Sequence, residues 1–360
     1  MNFTDFDPDA ACAPNENYFG FPFKPEDCPL LLISVPWDVT VSYRKGTALG
    51  PAAIRQASVQ LDFFDFEMPD IWKAGIGTHP FSVSEEISRL SEKLRPVAER
   101  VIAFQEGRTE DLPDNYAEQG FIADLEKVNA GGAYLNDWLK RISSMLLENG
   151  KFVGVVGGDH SSPLGLIQAL GEKYTSFGIL HLDAHDDLRK AYEKFDFSHA
   201  SIMYNALRVP SVERLVQVGV RDVCQQEQDR VSASSGRIVQ FPDVHIHRRL
   251  SEGEDWAAVC HEIIGRLPQN VYVSFDIDVF EPYLCPHTGT PVPGGLSFQQ
   301  VRYLLSCLRA SGKNLIGFDL CEVAPDTASP QNEWDGNVGA RVLYLLSNTL
   351  LTSIHAKPLK

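Results

Sequence analysis

The chain of 360 residues lacks the features that mark secreted, membrane-spanning and disulfide-rich proteins. Its seven cysteines are an odd number without a Cys-x-x-Cys pair, which argues against a disulfide framework and against a zinc ribbon. No stretch of 18 apolar residues occurs, and the acidic N-terminus has no apolar run of the kind that signal peptides carry. We therefore expect a cytoplasmic protein that is not bound to a membrane.

Positive charge is also scarce. The chain has 48 acidic against 32 basic residues, a formal net charge of −16, and no Lys/Arg run long enough to form a basic patch. Such a chain repels nucleic acid and anionic membranes. The acidity suits a small cationic ligand, although many proteins are equally acidic for solubility alone. We expect a small-molecule partner and no nucleic acid.

What the sequence does have is a large apolar fraction, 44%, arranged in short runs. These runs predict buried strands at residues 30–37, 152–156, 177–183, 214–220, 237–241, 271–278 and 314–320. Continuously apolar strands that alternate with helices indicate a parallel sheet covered on both faces. The predicted fold class is therefore α/β, a three-layer α-β-α sandwich with a central, mainly parallel sheet.

The domain organisation is predicted to be simple. Residues 1–28 are rich in Pro, Asp and Phe without periodicity, and we interpret them as an N-terminal arm on the surface or on a neighbouring subunit. Residues 29–360 contain no repeat and no low-complexity linker, which favours one catalytic domain. Helices are expected from about Pro51 and at 83–107, 126–149 and 336–353, with a polar insertion at about 108–125.

Acidic and imidazole side chains follow three of the predicted strands. The segments that carry them are Gly157-Gly158-Asp159-His160, Asp183-Ala184-His185-Asp186-Asp187 and Asp276-Ile277-Asp278. Ligands of open parallel sheets bind at the carboxyl ends of the strands, so these side chains should converge. Because side chains alternate along a strand, Asp276 and Asp278 should point to one side, as should Asp183, His185 and Asp187 where the chain stays extended.

These side chains together predict a metal centre. Burying so many carboxylates costs several kcal/mol per ion unless cations neutralise them. Oxygen ligands with one or two imidazoles suit Mn²⁺, Fe²⁺, Co²⁺ or Ni²⁺, whereas the lack of thiolate argues against structural zinc. Any one of these residues alone would be interpreted as a helix cap or a loop carboxylate. The predicted ligands are His160, Asp183, His185, Asp187, Asp276 and Asp278.

The same segments resemble a known family. GGDHS, DAHDD and SFDID resemble the signature blocks of the ureohydrolases, which include arginase and agmatinase, and RKGTALGPAAIR and PHTGTPVPGGL are also similar to that family. The resemblance covers about residues 30–352. It implies an arginase-like fold and hydrolysis of a C–N bond in a linear guanidino or amidino compound. It also implies two divalent ions, usually Mn²⁺ with Ni²⁺ or Co²⁺ as alternatives, and a homotrimer or homohexamer.

Residue roles follow from the resemblance. It implies that one ion is held by His160, Asp183, Asp187 and Asp276, the other by Asp183, His185, Asp276 and Asp278, with Asp183 and Asp276 bridging. Two such ions lower the pKa of a bound water toward about 7, and Asp187 would orient that nucleophile. Glu322 matches the carboxylate that binds the guanidinium, and His199 matches the histidine that protonates the leaving amine. Without the resemblance, Glu322 would be a loop carboxylate and His199 a structural histidine.

The segment after Asp187 departs from the family and leaves the substrate open. Leu188-Arg189-Lys190 argues against a true arginase, whereas the retained His199 favours the agmatinase-like branch. Arg189 would either bind a substrate carboxylate or form an ion pair with Glu193.

A second group of departures lies after the third block. His287 replaces a small residue and would narrow the pocket, donate to the substrate or only pack. Thr290 is predicted to hydrogen-bond near the substrate, and Glu281 stands where relatives have Asp before the proline.

Three function hypotheses remain. The first is hydrolysis of an agmatine-like substrate that releases urea, with formimidoylglutamate, a guanidino acid or guanidine as alternatives. The second is a catalytically weak family member that acts as a regulatory subunit, against which the complete ligand set argues. The third is a metal-dependent deacetylase of the same broad fold, which a two-metal ligand set disfavours.

Overall fold

Eight parallel strands form one sheet in the computed structural model, which describes residues 6–9 and 15–355. The strands are β1 (Leu30–Val35), β2 (Ile76–Thr78), β3 (Phe152–Gly157), β4 (Phe177–Leu182), β5 (Val212–Val218), β6 (Ile238–Phe241), β7 (Asn270–Asp276) and β8 (Asn314–Cys321). Their order across the sheet is β2-β1-β3-β8-β7-β4-β5-β6. The central strands are buried along almost their whole length because helices cover both faces.

Ten α-helices occur in the described part of the chain. They are α1 (Gly50–Ser58), α2 (Phe81–Glu106), α3 (Glu118–Glu148), α4 (Leu164–Lys173), α5 (Ile202–Ala206), α6 (Gln225–Ala233), α7 (Asp243–Ser251), α8 (Trp256–Gly265), α9 (Phe298–Ala310) and α10 (Trp334–His355). The predicted α/β class with a parallel sheet is confirmed. Among these helices, none combines the length and apolarity that a membrane crossing requires.

The predicted strands all appear within a few residues of their expected bounds, and β2 is the strand that was not predicted. It contains only Ile-Gly-Thr and pairs at the edge of the sheet with β1 alone. Three residues with a central glycine are too few to produce a recognisable apolar run.

The strand order brings the carboxyl ends of β3, β8, β7 and β4 side by side. Val156 pairs with Leu320, Asp276 with Cys321, and Leu182 with Phe275, so these four strands end at almost the same level. The segments that follow them therefore meet at one edge of the sheet, as expected for ligand sites in open parallel sheets.

The structure of two segments differs in part from what the sequence predicted for them. The described part of the N-terminal arm packs on its own chain, where Phe21 and Phe23 are buried and stack with Trp72. The predicted insertion at about 108–125 is irregular only at its start, since α3 already begins at Glu118. Residues 108–117 form a mostly exposed connection with one short 3-10 turn, Thr109–Asp111. Their exposure to solvent explains their polarity.

Candidate metal centre

His160 lies at the centre of the first predicted ligand set. Its Nδ1 is 3.0 Å from Oδ2 of Asp183, 3.3 Å from Oδ2 of Asp187 and 3.2 Å from Oδ2 of Asp276. All four side chains are buried. The structure therefore brings together the ligands that the resemblance assigned to one metal ion.

The second predicted set adjoins the first through Asp183. Nδ1 of His185 is 3.4 Å from Oδ1 of Asp183 and 3.1 Å from Oδ2 of Asp278. Potential ligand atoms of these three residues lie within 4.8 Å of one another. Asp183 thus presents one carboxylate oxygen to each set, as a bridging ligand requires.

The charges of this cluster fit divalent cations. Burial, together with Asp278 and Asp183, raises the pKa of Asp276 well above its usual range. Burial and Asp183 raise the pKa of Asp187 to about 6. These carboxylates destabilise one another without a cation, and divalent ions are the natural compensation. Four carboxylates and two imidazoles are also the donors that Mn²⁺, Co²⁺ and Ni²⁺ accept.

Tight turns, rather than an extended chain, orient the ligand side chains. The prediction that they point to one side because side chains alternate along a strand was therefore wrong in its reason. β4 ends before Asp183, Asp187 has a φ of 53°, and Asp278 lies in a 3-10 turn. Backbone amides hold each turn. Oδ1 of Asp183 accepts from His185 N at 2.5 Å, and Oδ1 of Asp276 accepts from Asp278 N at 2.9 Å. Each carboxylate thereby fixes the residue that follows it in its own set.

Glu322 directly follows β8, and a backbone N–H group also holds its carboxylate in place. Its backbone has a φ of 63°, and its Oε1 accepts from the backbone N–H of His160 at 2.8 Å. Burial and the nearby Asp159 raise the pKa of Glu322 well above its usual range. A Cβ on Gly289 would come within 3.3 Å of Oε2. A cation beside this carboxylate would offset its unfavourable burial.

A cavity of about 140 Å³ opens onto the cluster. Its walls are formed by Ser42, His160, His185, Asp187, Arg189, Tyr192, His199, Ala200, Asp222, Glu227, Asp276, Thr290 and Glu322. The six predicted ligands are called the cavity floor below; four of them line the cavity, and Asp183 and Asp278 lie next to these. Arg189, Tyr192, Asp222 and Glu227 are called the cavity rim. The structure brings Arg189, His199, Thr290 and Glu322 to this one cavity.

His199 begins a short 3-10 turn and is half-buried. Its backbone N–H donates to Oγ1 of Thr40 at 3.3 Å, and its ring meets that of Tyr192 edge-on at 5.9 Å. Burial, with the imidazoles of His185 and His160, lowers the pKa of His199 to about 3. The imidazole is therefore neutral near pH 7.

Arg189 has a different partner from the one considered in the sequence. Its Nε is 3.6 Å from Oε2 of Glu227, and its guanidinium lies 4.7 Å from the ring centroid of Tyr192. Glu227 also accepts from the backbone N–H groups of Leu188 and Cys224, both at 3.0 Å. Glu227 was not predicted, although its position three residues after the N-cap of α6 is a recognisable signal.

His287 does not line the cavity. Its Nδ1 is 2.7 Å from Oδ2 of Asp335, and its Nε2 is 3.4 Å from Oδ2 of Asp326. The structure thus places it in a packing role, the third of the alternatives considered for it. Glu281, the other departure, contacts the hydroxyl of the exposed Tyr283.

Sequence reasoning missed several residues behind the ligands. Nε2 of His181 is 2.8 Å from Oδ2 of Asp183. Ser274 Oγ is 2.9 Å from Nε2 of His160, and Asp319 lies 3.6 Å from the same nitrogen. A signal existed, because each is a polar residue inside an otherwise apolar predicted strand.

Comparisons with known proteins relate the whole chain to one family. The arginase family model matches residues 29–346. An N(1)-aminopropylagmatine ureohydrolase of Thermus thermophilus is 31% identical over 301 residues, 84% of each chain. An agmatinase of Bacillus anthracis is 27% identical and covers 83% of this chain and 85% of its own.

Solved structures show the same fold. Proclavaminate amidino hydrolase from Streptomyces clavuligerus has a TM-score of 0.69 at 21% identity, covering 96% of this chain and 99% of its own. Agmatine ureohydrolase of Thermoplasma volcanium has a TM-score of 0.68 at 22% identity, covering 94% of each. From the family match over most of its length and its 31% identity to a relative over 84% of each chain, the chain belongs to the arginase family of ureohydrolases.

Proposed function

We propose that this chain is a two-metal hydrolase that cleaves a C–N bond of a linear guanidino compound and releases urea. An agmatine-like amine is the first candidate substrate. The observation that carries the proposal is the cavity floor, where four carboxylates and two imidazoles meet beside Glu322 and His199.

The floor would hold the two ions in two sets. His160, Asp183, Asp187 and Asp276 would hold one ion, and Asp183, His185, Asp276 and Asp278 the other. Such ions supply the positive charge that makes a water molecule nucleophilic near neutral pH. Mn²⁺ is our first choice, with Ni²⁺ and Co²⁺ as alternatives.

Glu322 would bind the guanidinium of the substrate. A planar guanidinium donates to a carboxylate through paired N–H groups, which fixes its plane as well as its position. The N–H of His160 holds Oε1 of Glu322, which limits the rotation of this carboxylate. Gly289 has no side chain and leaves space beside Oε2 for the guanidinium. The guanidinium carbon would then lie over the floor, next to Asp187, which would orient the attacking water.

His199 would deliver the proton that the leaving amine needs. Its Nδ1 lies 3.5 Å from the hydroxyl of Ser198, so we assign proton transfer to Nε2. The neutral imidazole can accept a proton released at the floor and pass it to the departing nitrogen, which is the role of a general acid and base. Thr290 lines the same cavity and would hydrogen-bond to the substrate.

Two features bear on the rest of the substrate. Asp222 on the rim, which is exposed, and the net charge of −16 favour an amine at the far end, as in the substrates for which the relatives are named. Arg189 favours the second candidate, a guanidino acid or formimidoylglutamate, since it could pair with a carboxylate. Guanidine has neither an amine nor a carboxylate beyond its guanidinium group, so it would need neither of these rim contacts.

The test is product release from the purified chain after loading with Mn²⁺, Co²⁺ or Ni²⁺. The panel consists of agmatine, arginine, 4-guanidinobutyrate, formimidoylglutamate and guanidine, with urea, formamide and ammonia measured separately. We expect urea from an agmatine-like amine. No turnover of any compound with any of the metals would contradict the proposal, and fewer than one metal ion per chain would support the regulatory-subunit alternative.

We propose a homotrimer or homohexamer in the cytoplasm, without nucleic-acid or membrane partners. Light scattering of the metal-loaded protein measures the assembly directly, and a monomer would contradict it.

A further inference from the structure

A row of polar side chains crosses the sheet beside the cavity floor. His181 on β4 and Gln217 on β5 are fully buried, and Gln240 on β6 is half-buried. The row ends at Asp186, which is buried and is not a predicted ligand. Burying polar groups costs free energy unless each is hydrogen-bonded. The catalytic scheme above uses none of these residues.

The donors and acceptors of this row are all oriented in one direction, and Asp186 at the end of the row determines that direction. Its Oδ2 accepts from Nε2 of Gln228 at 2.8 Å, and its Oδ1 accepts from Nε2 of Gln240. The amide nitrogen of Gln240 also donates to Oε1 of Gln217 at 3.0 Å. The side-chain oxygen of Gln217 therefore faces β6, and its nitrogen faces β4.

A second contact fixes the same orientation independently of any ionisation. Nε2 of Gln217 donates to the backbone carbonyl of Asp186 at 2.8 Å, and a carbonyl oxygen can only accept. The other N–H of this amide points at Nδ1 of His181, 3.0 Å away. Nδ1 of His181 is therefore an acceptor.

The acceptor role of Nδ1 decides where the proton of His181 lies. A neutral imidazole carries one N–H, so the proton must be on Nε2. Nε2 is 2.8 Å from Oδ2 of Asp183, the carboxylate that faces both ligand sets. We infer that His181 and Gln217 are positioning residues: Gln217 fixes the tautomer of His181, which donates to Asp183 and orients it as the bridging ligand.

This inference rests on the proposed metal centre and adds to it two residues that support a ligand without binding the ions. An N–H that is directed at a ligating carboxylate fixes its rotation. Each carboxylate oxygen has two lone pairs, so Oδ2 of Asp183 can accept from His181 and still face an ion. The protonated Nε2 also prevents His181 from ligating an ion itself, although its ring lies only 5.3 Å from that of His160. The centre thus keeps two imidazole ligands instead of three.

The first test measures Mn²⁺ affinity by chelator competition on the full chain. Gln217→Met removes both N–H groups at similar length, and His181→Phe removes the donor to Asp183. We expect each to weaken Mn²⁺ binding by about 10–100-fold, the usual effect of losing a residue that orients a ligand. His181→Gln retains a side-chain N–H and should recover part of the affinity. Gln225→Met, on the exposed face of α6, should leave it unchanged.

The second test needs no substitution. In protein with ¹⁵N-labelled histidine, loaded with Zn²⁺ as a diamagnetic probe, NMR should show the proton of His181 on Nε2. A proton on Nδ1, or wild-type Mn²⁺ affinity in folded Gln217→Met, would overturn the inference. If the unsubstituted chain itself fails to bind two Mn²⁺ ions, the proposed function fails instead, so the two failures are distinguishable.

Discussion

The cavity floor comes from strand ends, whereas the cavity rim comes from segments that leave the sheet. On the floor, the carboxylates are buried, and backbone N–H groups hold Asp183, Asp276 and Asp278. On the rim, Asp222 is exposed, and Arg189 is held by one ion pair of 3.6 Å and one aromatic ring. The floor is thus fixed by the fold, while Arg189 and Asp222 on the rim depend on few side-chain contacts. Glu227 is the exception on the rim, since it is buried and backbone N–H groups hold its carboxylate.

This difference explains how one fold serves several substrates. The relatives are named for agmatine, aminopropylagmatine and proclavaminate chemistry, yet their structures superimpose on this chain over more than nine-tenths of its length where they are solved. Chemistry common to a family belongs on strand ends, and selectivity belongs on the connecting segments, where changes cost little stability. The experiments below separate these two regions.

The largest effect is expected on the floor, from Asp183→Asn. Losing the carboxylate that faces both ligand sets should lower kcat/KM by more than about 10³-fold, beyond the 10–100-fold typical of residues that only orient ligands. Elemental analysis should find fewer metal ions per chain. Asp137→Asn, an exposed carboxylate on α3, is the control and should be neutral. Full metal content in Asp183→Asn would remove this residue from the centre.

The floor could be predicted because its residues directly follow apolar runs, so the topology of a parallel sheet alone brings them together. How they are aimed could not be predicted. The positive φ of Asp187 and the 3-10 turn at Asp278 are stabilised by hydrogen bonds that form only when neighbouring strands are in register. The supporting donors His181 and Gln217 come from different strands, so no local spacing links them.

The side-chain partners of Arg189 and His287 could not be predicted from the sequence for a related reason. Glu193 is a near neighbour of Arg189 in the chain, but both Glu193 and Lys194 have positive φ, which breaks any helix there. Arg189 therefore meets Glu227 of α6 instead. His287 likewise finds Asp335 at the start of α10, a contact that only the packing of that helix creates.

A metal-free protein should lose stability as pH rises from about 6.5 to 8. Burial raises the pKa values of Asp159 and Asp186 to about 7, and contacts with four carboxylates outweigh burial and raise that of His160. These groups hold protons in the folded state that the unfolded chain has released, so folding weakens as they titrate. A shift of about 3 units corresponds to about 4 kcal/mol over the whole range between the unfolded and folded pKa values. Each aspartate loses only about 1 kcal/mol of this above pH 6.5, and His160 adds its own loss there.

Thermal unfolding of the chelated protein across this pH range measures the effect. His199 acts in the opposite direction, but its contribution falls below pH 6.5, since its folded pKa is about 3. Added Mn²⁺ should raise Tm most at high pH, where the carboxylates are ionised. A Tm that rises with pH in the metal-free protein would contradict the account of the floor.

On the rim, Arg189→Met should change selectivity more than turnover. If Arg189 reads a carboxylate, kcat/KM for 4-guanidinobutyrate should fall by about 10–100-fold, as expected for loss of a charge-assisted hydrogen bond. For agmatine, kcat/KM should stay constant or rise, because a positive charge near its ammonium is removed. Arg141→Met, exposed on α3, is the matched control. Equal losses for both substrates would mean that Arg189 supports Tyr192 and His199 instead.

The smallest effect on catalysis is expected from His287→Ala, which lies outside both regions. Because His287 does not line the cavity, kcat/KM should remain within about two-fold, far less than loss of a charged hydrogen bond in the site would cause. Stability should fall by about 1–3 kcal/mol, since the buried carboxylate of Asp335 loses its imidazole partner at 2.7 Å. His287→Asn should recover part of that loss in thermal unfolding. A large decrease in kcat/KM with unchanged Tm would instead place His287 in contact with the substrate and extend the rim to the loop that carries it.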